Sequence, residues 1–507
     1  MFAAVRAPSS SAARSLSLCA LRSLSVVRVG KMSPSHTLPR SPSVSSSRGL
    51  ATAVPALDIA ITSSPAPESQ PATLHLKSGQ AISGKSFGSP RTQFGEVVFT
   101  TAITSYTESL TDPSYQGQIL VFTQPLMGNY GVPDNFSGYS PNGHAEDVDV
   151  GAFLESRGIQ AAGVVVSDLC ERFSHFEARE SLASWCARHD VPGISGVDTR
   201  ALTTLLRNQG STLGGIVVGE KHDVKPEADQ FFDPMELNLI QSVSTKHAYT
   251  IHPRLGESGA RAHIALLDFG SKANIVRCLV REGVSVTVLP WNYDFNAVRD
   301  RFDGLFLSNG PGSPNSIPEA IETTRKVITE WNRPVFGICM GNQIIGLAAG
   351  ATCYRMSFGN RGHNQPVISL STVGNCIKAG RVYVTSQNHG YCLSWDHDAP
   401  NGGWPAGWIP WFVNANDGSI EGLRASPESG KLVWAAQFHP ESAGGPQDSH
   451  GMFTDYVDEV VKLRNAEGRS VGKGLEEEQL VPAPRSATGT PIGHVVSPST
   501  ANVVSPK

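Results

Sequence analysis

The sequence contains no Cys-x-x-Cys pair: its eight cysteines, at positions 19, 170, 186, 278, 339, 353, 376 and 392, follow no regular spacing. That argues against a structural zinc site and a dense disulfide framework, and it is the usage expected of free thiols in a reducing compartment. No apolar run approaches the roughly 18 residues of a membrane span, so no membrane is expected as a partner. An excess of either charge is missing too. The 41 Lys and Arg against 45 Asp and Glu give a formal net charge of -4, and there is no basic helix or zinc-finger spacing. Nucleic acid is therefore not an expected partner.

Two local absences mark the ends. No acidic residue precedes Asp58, while Arg6, Arg14, Arg22, Arg28, Arg40 and Arg48 punctuate a Ser- and Ala-rich stretch. Leu16, Leu18, Leu21, Leu24 and Val27 can line one face of a short helix between those arginines. Residues 1–56 thus have the make-up of a mitochondrial transit peptide, which would place the protein in the mitochondrial matrix; a basic tail with no address is the alternative. Residues 466–507 have almost no aromatic side chains and are rich in Pro, Ser, Gly and Thr, so a disordered tail is expected there.

What is present between the tails suffices for two cores, given 507 residues of which 40% are hydrophobic. Residues 71–219 show short β-prone runs, among them Ala72 to Lys77, Glu96 to Thr100 and Gln118 to Phe122, broken by Gly, Pro and Asp. They predict a mixed α/β domain. Residues 220–260 turn polar and lose periodicity, the pattern of a linker. Residues 261–465 alternate strand and helix patterns, from Ile264 to Leu267 through the strand Pro334 to Ile338 and a helix from Met340 to Ala349. The expected fold class is α/β, with a mainly parallel sheet covered on both faces and its chemistry at the carboxyl ends of the strands.

At one such end stands Gly337-Ile338-Cys339-Met340-Gly341. The form G-x-nucleophile-x-G suits a sharp turn that lifts a side chain to the sheet edge, with a helix beginning at once. A cysteine there would sit at a helix N-terminus, whose partial positive charge favours the attacking thiolate. A buried core cysteine fits the same run. Near the end of the domain comes Phe438-His439-Pro440-Glu441. The proline holds His439 extended, so His439 and Glu441, two residues apart, can face one pocket. A carboxylate-oriented histidine offered to a cysteine suits acyl transfer. His389, in Gln387-Asn388-His389-Gly390-Tyr391, is a rival base. Ser308-Asn309-Gly310-Pro311-Gly312, at another strand end, can expose N–H donors to an oxyanion, or can be an ordinary turn.

Together, and in this order, these runs resemble those of the class I, or triad, glutamine amidotransferases, over about Ile264 to Leu463. The resemblance implies that Cys339, His439 and Glu441 form the triad, and that Gly310, Gly312, Met340, Gln343, Asn388, Gly390 and Tyr391 hold glutamine. It also implies an oxyanion hole from the Met340 N–H and one from the turn at Gly310 to Gly312. Upstream, Gly95 to Phe99, Leu110-Thr111-Asp112-Pro113-Ser114-Tyr115 and Gly196 to Thr203 are similar to the N-terminal domain of carbamoyl-phosphate synthetase small subunits. By that likeness Ser114 reaches across the domain interface to the glutamine. Met340, Asn342 and Tyr391 depart from the family's usual leucine, histidine and phenylalanine. The resemblance further implies a heteromeric partnership with a large subunit that uses ATP, Mg and bicarbonate, no cofactor in this chain, and service to arginine synthesis. An amidotransferase of another synthase, such as anthranilate or GMP synthesis, and a non-catalytic regulatory subunit are the other readings.

Overall fold

Residues 68–133, 153–253, 256–394 and 403–480 are described by the computed structural model. The expected transit peptide lies outside them. In the first module, the strands are β1 (Pro71–Leu76), β2 (Ala81–Gly88), β3 (Gln93–Thr100), β4 (Gln118–Phe122), β5 (Leu126–Met127), β6 (Val132–Pro133), β7 (Gly163–Val165), β8 (Asp168–Leu169), β9 (Ala178–Glu180), β10 (Pro192–Ser195) and β11 (Thr212–Val218). Its helices are α1 (Tyr106–Thr111), α2 (Leu182–Arg188) and α3 (Thr199–Gln209). Seven strands close into a barrel in the order β1-β11-β3-β4-β7-β10-β2.

The period-2 alternation of strand side chains explains how this barrel is filled and clad. Val97, Phe99, Ile119 and Val121 belong to one core cluster with Ile216 and with Leu202 and Leu206 of α3. Their neighbours Val98, Leu120 and Phe122 join a second cluster around Trp185 of α2. Helix α3 starts where the Asp198 carboxylate accepts the Ala201 N–H at 2.8 Å, an N-cap.

The second module adds β12 (Tyr249–Ile251), β13 (His263–Asp268), β14 (Ser285–Pro290), β15 (Gly304–Leu307), β16 (Val335–Ile338), β17 (Cys353–Ser369), β18 (Val382–Leu393), β19 (Trp408–Asn414), β20 (Ile420–Ala425) and β21 (Val433–Ala436). Its helices are α4 (Ile240–Val243), α5 (Ala273–Arg281), α6 (Pro318–Glu330), α7 (Met340–Ala349) and α8 (Gly451–Ala466). One ten-stranded sheet runs β12-β14-β13-β15-β16-β21-β20-β19-β17-β18. Its centre, β14-β13-β15-β16-β21, is parallel, and antiparallel strands extend both flanks. On β13, Ala265 and Leu267 pack with α6 and α7, whereas Ile264 and Leu266 pack with α5 and α8. Burial on both faces is why these strands read as continuous apolar runs. No helix among the described residues is long and apolar enough to cross a membrane.

Three stretches differ from what the sequence suggests. The linker stretch, 220–260, supplies α4 and the edge strand β12, with Ile240 and Ile251 buried in the second module's cores. These elements are only four and three residues long, too short to give a periodic signal. The start of the expected disordered tail, residues 467–480, packs back on the domain: Leu475 joins a core cluster and the Gly472 N–H donates to Asp303 at 2.8 Å. The rest of that tail lies outside the described residues. Gln387 to Gly390, turn-like in composition, lie within the long strand β18 paired with β17.

Candidate active site

The parallel strands deliver their carboxyl ends to one edge, and the named residues collect there. Cys339 follows β16 and caps α7 with φ 53° and ψ -100°, one of three non-glycine residues with positive φ among those described. This is a strained backbone for a residue with a Cβ, and such strain is tolerated where function requires it. The flanking glycines make it possible. A Cβ on Gly341 would stand 2.3 Å from the Leu307 carbonyl oxygen, and one on Gly337 would stand 2.7 Å from Gly341 itself. Met340 is the first residue of α7, so its N–H has no acceptor within the helix.

His439 and Glu441 lie just past β21, both fully buried. His439 Nδ1 is 2.6 Å from Glu441 Oε1. The opposite ring nitrogen, Nε2, is buried with no other hydrogen-bond partner and is left for Cys339. Burial and the Lys272 ammonium pull the imidazole toward neutrality, but Glu441 and Cys339 outweigh them and raise its pKa to about 10. Burial alone would raise the Glu441 carboxyl; His439 and Lys272 overcome it and bring it down to about 2. The Cys339 thiol lies 3.6 Å from the Asn388 carbonyl oxygen.

His389 does not join this group. Its Nδ1 is 2.9 Å from the Tyr391 carbonyl oxygen and its Nε2 is 3.2 Å from Gln387 Oε1. Burial lowers its pKa to about 4, so it stays neutral within β18. With both nitrogens engaged in holding the strand, it is a structural histidine, and His439 is the base the geometry offers.

A cleft opens over Cys339. Ser114, Gly310, Gly312, Gln343, Asn388, Gly390 and Tyr391 line it, while Met340 is buried behind the elbow and can present only its backbone. The Gln343 amide donates to the Tyr391 carbonyl at 2.9 Å and to Gln437 Oε1 at 3.2 Å, so its own carbonyl is aimed by two fixed partners. Ser114 comes from the barrel module and accepts the Asn309 amide at 3.0 Å. The cleft is thus closed on one side by the other module, which also contributes Glu96 and Gln118.

Two residues that sequence reasoning passed over sit at the centre of this seam. Lys272, buried, places Nζ 3.4 Å from Glu441 Oε1 and 3.5 Å from Asp112 Oδ2 of the barrel module. Its carboxylate neighbours raise its pKa despite burial, so it is a cation. Asp112 also accepts the Asn388 amide at 2.9 Å. The available signals were the position of Lys272 just after the carboxyl end of β13 and of Asp112 directly before Pro113-Ser114. Arg355, bonded to Glu96 and Asp233 at 2.8 Å each, closes the cleft's outer rim.

A strained cysteine on a strand-to-helix elbow, with a histidine and carboxylate behind it and amide groups around its cleft, is a site of the glutamine amidotransferase kind. The family model Glutamine amidotransferase class-I matches residues 265–459, and that of the carbamoyl-phosphate synthase small chain, CPSase domain, matches residues 74–216. The carbamoyl phosphate synthase arginine-specific small chain of Emericella nidulans is 45% identical over 396 residues, covering 78% of this chain and 81% of that one. Those of Neosartorya fischeri and Aspergillus niger are 45% and 44% identical, covering 78% and 79% of this chain and 80% and 82% of theirs. This chain belongs to the carbamoyl-phosphate synthase small-chain family.

Proposed function

We propose that this chain hydrolyses L-glutamine and passes the ammonia to a large subunit that makes carbamoyl phosphate, in the service of arginine synthesis. The observation that carries the reading is the stacking of Cys339, His439 and Glu441 beneath a cleft lined with backbone and amide groups. The Cys339 thiolate attacks the side-chain carboxamide carbon. The Met340 N–H and one from the Gly310 to Gly312 turn receive the oxyanion. His439, protonated and held by Glu441, donates its Nε2 proton to the departing nitrogen as the C–N bond breaks, releasing ammonia and leaving a glutamyl thioester. Neutral His439 then takes a proton from water as it attacks the thioester carbon; the C–S bond breaks and glutamate and the thiolate are regenerated.

Activity of the chain co-expressed with its large subunit tests this. Cys339→Ser is expected to abolish glutamine-dependent carbamoyl phosphate formation while ammonia-dependent formation stays at the wild-type rate. Equal loss of both, or loss of neither, would overturn the reading; loss of neither would favour a non-catalytic regulatory subunit.

The arginine-rich, acid-free residues 1–56 support a mitochondrial address. A fluorescent reporter carrying them is expected in the mitochondrial matrix, and an evenly cytosolic reporter would refute the address.

A further inference from the structure

Helix α5 begins at the seam between the modules, and its own N-cap residue, Lys272, makes no side-chain cap. The first N–H groups of a helix need acceptors. Here both come from one residue of the barrel module: the Glu155 carbonyl accepts the Ala273 N–H at 2.9 Å, and Glu155 Oε2 accepts the Asn274 N–H at 3.0 Å. One turn on, Arg277 donates to the Leu154 carbonyl at 3.1 Å, so residues 154 and 155 dock along the helix start. Glu155 is itself held, its N–H donating to Thr111 Oγ1 at 2.9 Å, next to Asp112.

That capped turn is what holds Glu441. Lys272 Nζ stands 3.4 Å from the Glu441 carboxylate, and the Asn274 side-chain amide donates to the Glu441 backbone carbonyl. Both ends of Glu441 are therefore fixed by the two residues that flank Ala273. Apart from them, Glu441 has His439 as its carboxylate partner and His450 at its backbone, and its Oε2 is buried without a hydrogen bond.

We infer that Glu155 is a positioning residue for the glutaminase reaction: by capping α5 from the other module it sets Lys272 and Asn274, and through them the Glu441–His439 pair. The inference rests on the glutaminase reading above. It makes the catalytic geometry of the second module conditional on docking of the first. Burial pushes the Glu155 carboxyl up to about 7 against the pull of Lys272 and Arg277, so glutamine, which keeps the acceptor oxygen, is a fair substitute.

The test uses the assembled complex with Glu155→Ala, Glu155→Gln and Cys339→Ser. Glu155→Ala is expected to lower glutamine-dependent kcat by about tenfold to a hundredfold, the penalty of misplacing a catalytic pair, with KM for glutamine within about threefold. Ammonia-dependent synthesis should be unchanged. Glu155→Gln should restore most of the lost kcat. A Glu155→Ala complex with wild-type glutamine kcat would overturn the inference, as would equal loss of both activities or a loss confined to KM. Glu155→Gln no better than Glu155→Ala would also overturn the capping role. The Cys339→Ser complex separates the two levels: if it keeps glutamine-dependent activity, the glutaminase reading itself fails.

Discussion

The fold imposes opposite charges on His439 and Glu441. The folded pKa of His439, about 10, lies above its ordinary 6.5, so the pair's contribution is full below about pH 6.5 and is lost as pH rises toward 10. That of Glu441, about 2, lies below its ordinary 4.5, so its contribution is present above about pH 4.5 and is lost as pH falls toward 2. The gap in thermal midpoint between wild type and His439→Asn is therefore expected to be widest between about pH 4.5 and 6.5 and to shrink toward about pH 9. A gap that is constant over that range would contradict the charged pair. Glu421 behaves oppositely. Burial raises its pKa to about 8, above the ordinary 4.5, so the wild type loses stability as pH rises between those values. Glu421→Gln should leave the midpoint little changed at low pH and raise it progressively up to about pH 8, measured by thermal scans. At this scale the triad was legible because its clues are local: glycines two residues either side of Cys339, and a proline between His439 and Glu441. Lys272 was not, because its meaning depends on a loop that returns beside it far along the chain; its neighbour Asn274 contacts Glu441 from 167 residues away.

The strand–elbow–helix unit, β16 with α7, is what turns a cysteine into a strained nucleophile at the floor of the cleft. Its tolerance is set by Leu307 on β15, whose carbonyl oxygen lies where a side chain on Gly341 would go. Backbone cannot yield as a rotamer can, so Gly341→Ala should destabilise the chain by about 1–3 kcal/mol, the usual cost of overpacking. Glutamine-dependent activity should fall as well, because α7 must shift away and carry Met340 and Gln343 with it. Chemical denaturation and steady-state kinetics check both. The alternating strands and helices from β13 to α7 were readable because sheet burial on two faces and amphipathic helices leave strong periodic signals. Strand β18 was not. Gln387, Asn388 and His389 are polar yet buried, since their side chains and backbone build the site, and tertiary context overrides the turn-like composition.

The whole molecule joins a closed barrel to an amidotransferase sheet, and the contacts between them run through the site: Asp112 to Lys272 and Asn388, Glu155 to α5, and Arg355 to Glu96. The two-module plan was legible from composition and motifs, but this seam was not, because no local pattern announces a contact between distant segments. The tail is a second long-range feature. Truncation after Ala466 should lower the thermal midpoint, because it removes buried Leu475 and the bonds of Arg469 and Gly472 to Asp303. All these parts converge on one chemical claim, that glutamine becomes bonded to Cys339. The most direct measurement is mass spectrometry of the chain, in complex with its large subunit, after acid quenching during turnover with glutamine. The account predicts a glutamyl adduct on Cys339 that disappears in Cys339→Ser. A complex that turns over glutamine with no such adduct, or with the adduct on Cys353, would contradict it.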